Sequence, residues 1–254
     1  MRLGPGLLAL ALVAALAGCG GGKSDELSHS TSEGPIGKGS SGVWLYRPAG
    51  KPKNVVVYFH GQGGPKEATP VNHLPWIKHL VKRGSIVIYP RYETAYEADP
   101  MKFVATGIKA AEKKVDVKGL PVLAIGYSRG GAIAVEYGAA ASRDDLPAPD
   151  WILSVFPAPY GNMKSLIDLQ NLPHFTELVI LVGDRDQVVG NEGAVLLGRR
   201  LQRGGFPGEN IQVEQILSHG GFTADHFAPM DTSKAAQQAF WAPADRILDG
   251  LDNQ

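Results

Sequence analysis

The chain predicts an α/β fold, a mostly parallel central sheet with helices on both faces, and two observations carry that expectation. Short, continuously apolar stretches alternate with stretches of helical periodicity from about Val43 to Leu251, the pattern of strands covered on both faces by the helices between them. One such run, Val122-Leu123-Ala124-Ile125, leads directly into Gly126-Tyr127-Ser128-Arg129-Gly130 and then into Gly131-Ala132-Ile133-Ala134-Val135. Strand, tight turn and helix in so few residues hold a serine hydroxyl at the tip of a strand. The flanking glycines are needed because side chains there would collide with the neighbouring strand or helix.

The N-terminus reads differently from the rest. Arg2, an apolar run from Leu7 to Ala17 and the ending Leu16-Ala17-Gly18-Cys19 have the form of a secretory signal. The run is shorter than the roughly 20 apolar residues that span a bilayer. Leu-Ala-Gly-Cys resembles the lipobox of bacterial lipoprotein precursors. That resemblance implies a signal peptide over residues 1–18, lipidation of Cys19 and an extracytoplasmic protein held at a bacterial cell membrane by its lipid. Cys19 is the one cysteine in the chain, so no internal disulfide forms. Residues 19–40, rich in Gly, Ser and Thr, are too poor in apolar groups to order themselves and predict a flexible linker.

The domain is expected over residues 41–254. Val43–Tyr46 is a short strand closed by Pro48 and Gly50, and Asn54–Phe59 a buried strand ending at His60-Gly61-Gln62-Gly63-Gly64. Leu74, Ile77, Leu80 and Val81 recur at helical spacing and stop at Gly84. Ser85–Tyr89 is a strand, and residues 100–115 a helix with Phe103, Val104, Ile108 and Ala111 to one side. After the serine turn come a helix to Ala141, strands at Trp151–Phe156 and Leu178–Val182, and a helix from about Glu192 to Gln202. A last strand, Ile211–Leu217, and a closing helix, Ser233–Leu251, complete the chain. About twenty residues separate Trp151–Phe156 from Leu178, too few for a large cap domain.

Composition excludes little but points away from polyanions. Of 254 residues, 44% are apolar and 20% charged with zero net charge, so neither nucleic acid nor a strongly charged partner is expected. No metal or organic cofactor is implied, and oligomeric state is not legible.

The strand–Gly-x-Ser-x-Gly–helix unit resembles the nucleophile elbow of the α/β-hydrolases, whose triad runs Ser, then acid, then His along the chain. Ser128 fills the nucleophile position. Past the strand at Leu178 stand Asp184 and Asp186, at the strand ends where such sheets bind ligands. The spacing Gly183-x-x-Asp186-x-x-Val189 resembles the acid turn of that fold, which favours Asp186; Asp184 is the alternative, otherwise a turn cap. After the last strand stand His219 and His226. Ala224-Asp225-His226-Phe227-Ala228-Pro229 resembles a segment of bacterial α/β-hydrolases and favours His226 as base, with His219 the alternative.

The His60–Gly64 loop resembles the His-Gly loop of the same fold. The resemblance assigns the oxyanion hole to the backbone amides of Gln62 and Arg129 and leaves His60 a structural role. Tyr92, Tyr96, Trp76 and Phe222 are candidates for an acyl pocket or for the core. The whole constellation implies a lipid-anchored serine esterase of carboxylesterase or lipase type, acting on a small-molecule or lipid ester. A peptidase, amidase or acyltransferase with the same triad, or a non-catalytic binding protein on the same scaffold, is the alternative.

Overall fold

The computed structural model describes residues 29–63, 66–93, 99–159 and 169–252. The expected signal peptide, Cys19 and the first part of the linker lie outside the described residues, as do Gly64 and Tyr96. Eight strands are present among those described: β1 (Thr31–Ile36), β2 (Val43–Arg47), β3 (Asn54–Phe59), β4 (Ser85–Pro90), β5 (Val122–Tyr127), β6 (Trp151–Val155), β7 (Glu177–Gly183) and β8 (Ile211–Ile216). They form one sheet in the order β1-β2-β4-β3-β5-β6-β7-β8. β1 and β2 are antiparallel to their neighbours, and β4 through β8 run parallel to one another along the sheet.

Every residue of β3, β4 and β5 is buried, which is why these strands read as unbroken apolar runs rather than alternating ones. Their side chains feed two cores, one on each face. Val55, Val57, Ile86, Ile88 and Ala124 point to the face covered by α2 (Met101–Glu112), α3 (Arg129–Ala141) and α4 (Glu192–Arg203). Val56, Tyr58, Val87, Tyr89 and Ile125 point to the other, covered by α1 (Leu74–Lys82) and the C-terminal helix. α1 commits Trp76, Ile77, Leu80 and Val81 to that core, each worth about 1.5–3 kcal/mol of burial.

The C-terminal helix starts at α5 (Lys234–Ala236), widens into a π turn over Gln237–Trp241 and resumes as α6 (Ala242–Leu251). Ser233 caps it by accepting from the Ala236 amide at 3.2 Å. The wide turn precedes Pro243 and buries Phe240 and Trp241, consistent with a ring that leaves no room for a regular turn before it.

One expectation is corrected. β1 begins inside the stretch assigned to the flexible linker, so the folded part reaches back to Thr31. Its sequence has a Gly-Pro step and little apolar content, and no local signal marks it as a strand. Pairing makes it one: Thr31, Ser32 and Glu33 lie opposite Arg47, Tyr46 and Leu45. Glu33 adds ion pairs to Arg47 at 3.2 Å and Lys114 at 3.3 Å. The connection from β6 to β7 covers residues 156–176, and among the described residues no large cap interrupts the sheet.

Candidate active site

The serine turn is built from backbone contacts that admit no side chain. A Cβ on Gly126 would fall 1.9 Å from the Gly130 carbonyl oxygen, and one on Gly130 would fall 2.2 Å from that of Phe59. The turn between them forces Ser128 to φ 55°, ψ −120°, a conformation that costs a non-glycine residue about 1–3 kcal/mol. Backbone bonds hold it there: the Ser128 amide donates to Val155 at 2.9 Å, and its carbonyl accepts from Gly131 at 2.9 Å and Ala158 at 3.0 Å. The strain is thus offset by β6 and the segment after it.

Ser128, His226 and Asp186 come together from three places in the chain, and all three are buried. Ser128 Oγ lies 3.0 Å from His226 Nε2, and His226 Nδ1 lies 2.8 Å from Asp186 Oδ2. The carboxylate only accepts, so the proton sits on Nδ1 and Nε2 is left to accept from the serine hydroxyl. Asp186 Oδ1 is engaged elsewhere, accepting from the amides of Val188 at 2.9 Å and Val189 at 3.0 Å. One oxygen fixes the turn while the other faces the imidazole.

The two alternative residues stand outside this relay. Asp184 is exposed, and its Oδ1 accepts from the Ser218 amide at 3.0 Å and the Ser218 hydroxyl at 2.6 Å. Those bonds, the hydroxyl's first, hold its carboxyl below the usual carboxylate range. Ser218 Oγ in turn accepts from the Ala224 amide at 2.9 Å, so Asp184 clasps the base of the histidine-bearing segment to the end of β7. His219 is exposed and sits in a tight turn whose main chain pairs with Phe222 at 2.9 and 2.7 Å.

Of the expected oxyanion donors, Arg129 opens α3, where helix amides and dipole favour negative charge. Its side chain is buried and its Nε lies 3.2 Å from Glu93 Oε2, itself buried. That pair, invisible to the sequence reading, ties the residue after Ser128 to the segment following β4. Gln62 is exposed at the other side. Gly61 before it brings the loop so close that a Cβ there would lie 3.4 Å from Ser128 Cβ.

His60 behind this loop is structural. Its Nδ1 lies 2.7 Å from the Gly61 carbonyl and its Nε2 2.6 Å from that of Arg91. A charged ring would donate to both, at a gain of about 1.5–3 kcal/mol per bond. Full burial costs an ion several kcal/mol and prevails, lowering the pKa from 6.5 to about 4. Tyr92 and Trp76 are fully buried in the core. Phe222 borders a groove of about 490 Å³ that also takes in Asp225 and Phe227, the two neighbours of His226. Phe227 is 61% exposed, its ring edge-on to the imidazole at 5.7 Å. Among the described residues, no cluster of acids, histidines and cysteines is placed to hold a metal ion, and no helix is long and apolar enough to cross a membrane.

A mostly parallel sheet with a strained serine at the tip of a central strand, flanked by helices on both faces and without a large cap among the described residues, is the α/β-hydrolase fold. No family model matches the chain, and no curated protein matches it. Solved structures do. Esterase B of Lactobacillus rhamnosis, with a tributyrin phosphonate inhibitor, shares 14% identity at a TM-score of 0.65 over 91% of this chain and 89% of that one. A carboxyl esterase from the mycorrhizal fungus Tuber melanosporum shares 18% at a TM-score of 0.59, covering 91% and 88%. A butyrate-bound thermophilic esterase from Thermogutta terrifontis shares 16% at 0.59, covering 83% and 90%. At such identities the likeness is one of fold.

The His60 ring gives the fold a pH dependence of definite sign. Between pH 6.5 and pH 4 the unfolded chain binds a proton that the folded ring refuses, so stability falls as the pH drops through that window. Thermal unfolding from pH 7 to pH 4 should show His60→Gln losing less stability than the unaltered chain, by about 3 kcal/mol over the full window. Equal acid slopes would place the loss in other groups.

Proposed function

We propose that this protein is a serine hydrolase that cleaves a carboxylic ester through an acyl-enzyme, held outside the cytoplasm by a lipid on Cys19. The observation that carries the reading is the continuous relay from Ser128 through His226 to Asp186, at 3.0 and 2.8 Å. His226 Nε2 takes the hydroxyl proton as Ser128 Oγ attacks the ester carbonyl, and Asp186 stabilises the imidazolium. The amides of Arg129 and Gln62 meet the oxyanion that appears only in the tetrahedral intermediate, each worth about 10²–10³ in rate. The imidazolium then protonates the leaving alcohol. Water, deprotonated by the same histidine, releases the acid and restores the serine.

Exposed Phe227 beside the base, in a groove that buried Phe222 borders, provides apolar surface for one end of the ester. The solved relatives with a tributyrin phosphonate and with butyrate make short acyl chains the first to test. The sequence form of residues 1–19 supports the anchor.

The experiment is a rate series on p-nitrophenyl esters from acetate to palmitate, on protein that retains β1, with Ser128→Ala alongside. Turnover should be highest for the short esters and fall on the order of 10⁶-fold in the variant. A folded protein without turnover that still labels with a phosphonate at Ser128 would move the reading to an amide; neither turnover nor label would leave a binding protein. Asp186→Asn should lower kcat by about 10⁴-fold through the wrong tautomer, while Asp184→Asn should leave it within roughly a few-fold, since its bonds run to Ser218. The reverse ranking would give the acid role to Asp184. Cell fractionation should find Cys19→Ser outside the membrane fraction, and unchanged partitioning would refute lipidation there.

A further inference from the structure

Tyr127 occupies the position that the Gly-x-Ser-x-Gly pattern leaves unspecified, yet its side chain touches both halves of the machinery. Its buried hydroxyl donates to the main-chain carbonyl of His226 at 2.8 Å, 99 residues further along the chain. Its ring centroid lies 5.2 Å from that of the His226 imidazole. On the other side, a Cβ on Gly61 would meet Tyr127 Cε1 at 3.0 Å and Cδ1 at 3.1 Å, so the ring also supports the oxyanion loop. We propose that Tyr127 is a positioning residue that fixes the height of His226 above Ser128, a role that rests on the serine-hydrolase reading above.

The segment after β8 contains Gly220 at φ 49° and Gly221 at φ 87°, and several of its hydrogen bonds are local. His219 pairs with Phe222, Ala228 with Asp225, and the Asp225 carboxylate with the Phe227 amide at 3.0 Å. Asp184 and Ser218 clasp its base, and the Arg185 amide reaches the Ala224 carbonyl at 3.3 Å. Closer to the ring itself, the Nε2 bond to Ser128 must change during a reaction, and the Nδ1 bond to Asp186 orients the ring without fixing the main chain that carries it. The Tyr127 hydroxyl supplies a bond to that main chain, one that need not change.

It is also anchored in the right frame. Adjacent Cα atoms across a trans peptide are about 3.8 Å apart, so Tyr127 and Ser128 move as one body at the end of β5. A base hung from Tyr127 is therefore referenced to the nucleophile's own backbone, and a shift of the elbow carries both. Burial raises the Tyr127 hydroxyl well above its ordinary pKa of 10, so it remains a donor at any pH where the histidine is a base. Removing it leaves the buried His226 carbonyl without that partner and frees the ring to drift. A misplacement of about 1 Å can cost on the order of 10²-fold in rate.

The test is Tyr127→Phe in the full chain, which keeps the ring under Gly61 and removes only the hydroxyl. Two readouts are needed. With the best p-nitrophenyl ester, kcat should fall about 10- to 100-fold while KM stays within about two-fold, because no substrate contact is lost. The low-field proton resonance of the His226–Asp186 hydrogen bond, seen without substrate, should broaden or vanish in the variant under conditions where the unaltered protein shows it. Unchanged kcat, or a resonance as sharp as before, would overturn the proposal. A parallel rise in KM would also overturn it, since that marks a distorted cleft rather than a displaced base. Should the unaltered chain prove inactive and unlabelled by phosphonate, the esterase reading falls, and the resonance alone still decides whether Tyr127 holds the imidazole. If Tyr127→Phe does not fold, Tyr127 substituted biosynthetically by a fluorotyrosine keeps the hydroxyl and strengthens its donation. It should then sharpen the same resonance, and no change would overturn the proposal.

Discussion

At the tip of β5 the backbone comes closer to itself than any side chain permits, and the rest of the site is arranged around that contact. Gly126 lies against the Gly130 carbonyl and Gly130 against the carbonyls of Phe59 and His60. Because α3 can leave the strand only through this crossing, Ser128 is pushed into a positive φ and its hydroxyl is lifted clear of the sheet. The same crossing sets Arg129 at the helix N-terminus, so Ser128 and the Arg129 amide share one rigid turn. Nothing in the contact depends on the chemistry of the side chains carried, which is why the pattern specifies glycines and a serine and little else.

The parallel sheet converts sequence distance into proximity. β3, β5 and β7 all run the same way, so the segments after them, carrying Gly61–Gln62, Ser128 and Asp186, emerge along one edge. β8 delivers His226 to that edge through a segment long enough to fold back over the end of β7. There a Cβ on Gly183 would meet the Ala224 carbonyl at 2.2 Å. His226 therefore reaches Ser128 on a segment that lies directly against the end of the strand leading to Asp186. This explains how a relay assembled from residues 128, 186 and 226 needs no cap domain to hold it.

What was legible in the sequence follows from the range of the forces involved. The elbow, the buried strands and the amphipathic helices are determined by neighbours within a few residues, and they stand within about three residues of where apolar pattern and glycines put them. Choosing between Asp184 and Asp186 was legible only as a spacing, because both side chains leave the same turn. The structure separates them by partner, Ser218 for one and His226 for the other. β1 was illegible: Thr31–Ile36 has no strand pattern of its own and is ordered by what it pairs with. The Arg129–Glu93 pair and the Tyr127–His226 bond join residues 36 and 99 positions apart, and no local signal announces either.

The histidine-bearing segment shows how order is maintained where the pattern is weakest. Fixing a backbone residue costs about 1–2 kcal/mol, and a hydrogen bond returns about 1. A segment with two positive-φ glycines cannot be held by local bonds alone. It is instead held at intervals: by Asp184 through Ser218 at its base, by the close contact of Gly183 with Ala224 midway, and by the Tyr127 hydroxyl at His226. The aromatic packing of Phe222 and Phe156 against Phe240, at 6.4 and 5.5 Å, closes it from beneath. Each anchor lies on or directly after β5, β6 or β7 or on the C-terminal helix, elements whose own order comes from the core and not from the site. The imidazole is consequently held by the fold itself. Its bonds to Ser128 and Asp186, at 3.0 and 2.8 Å, are made from a main chain already fixed by its neighbours.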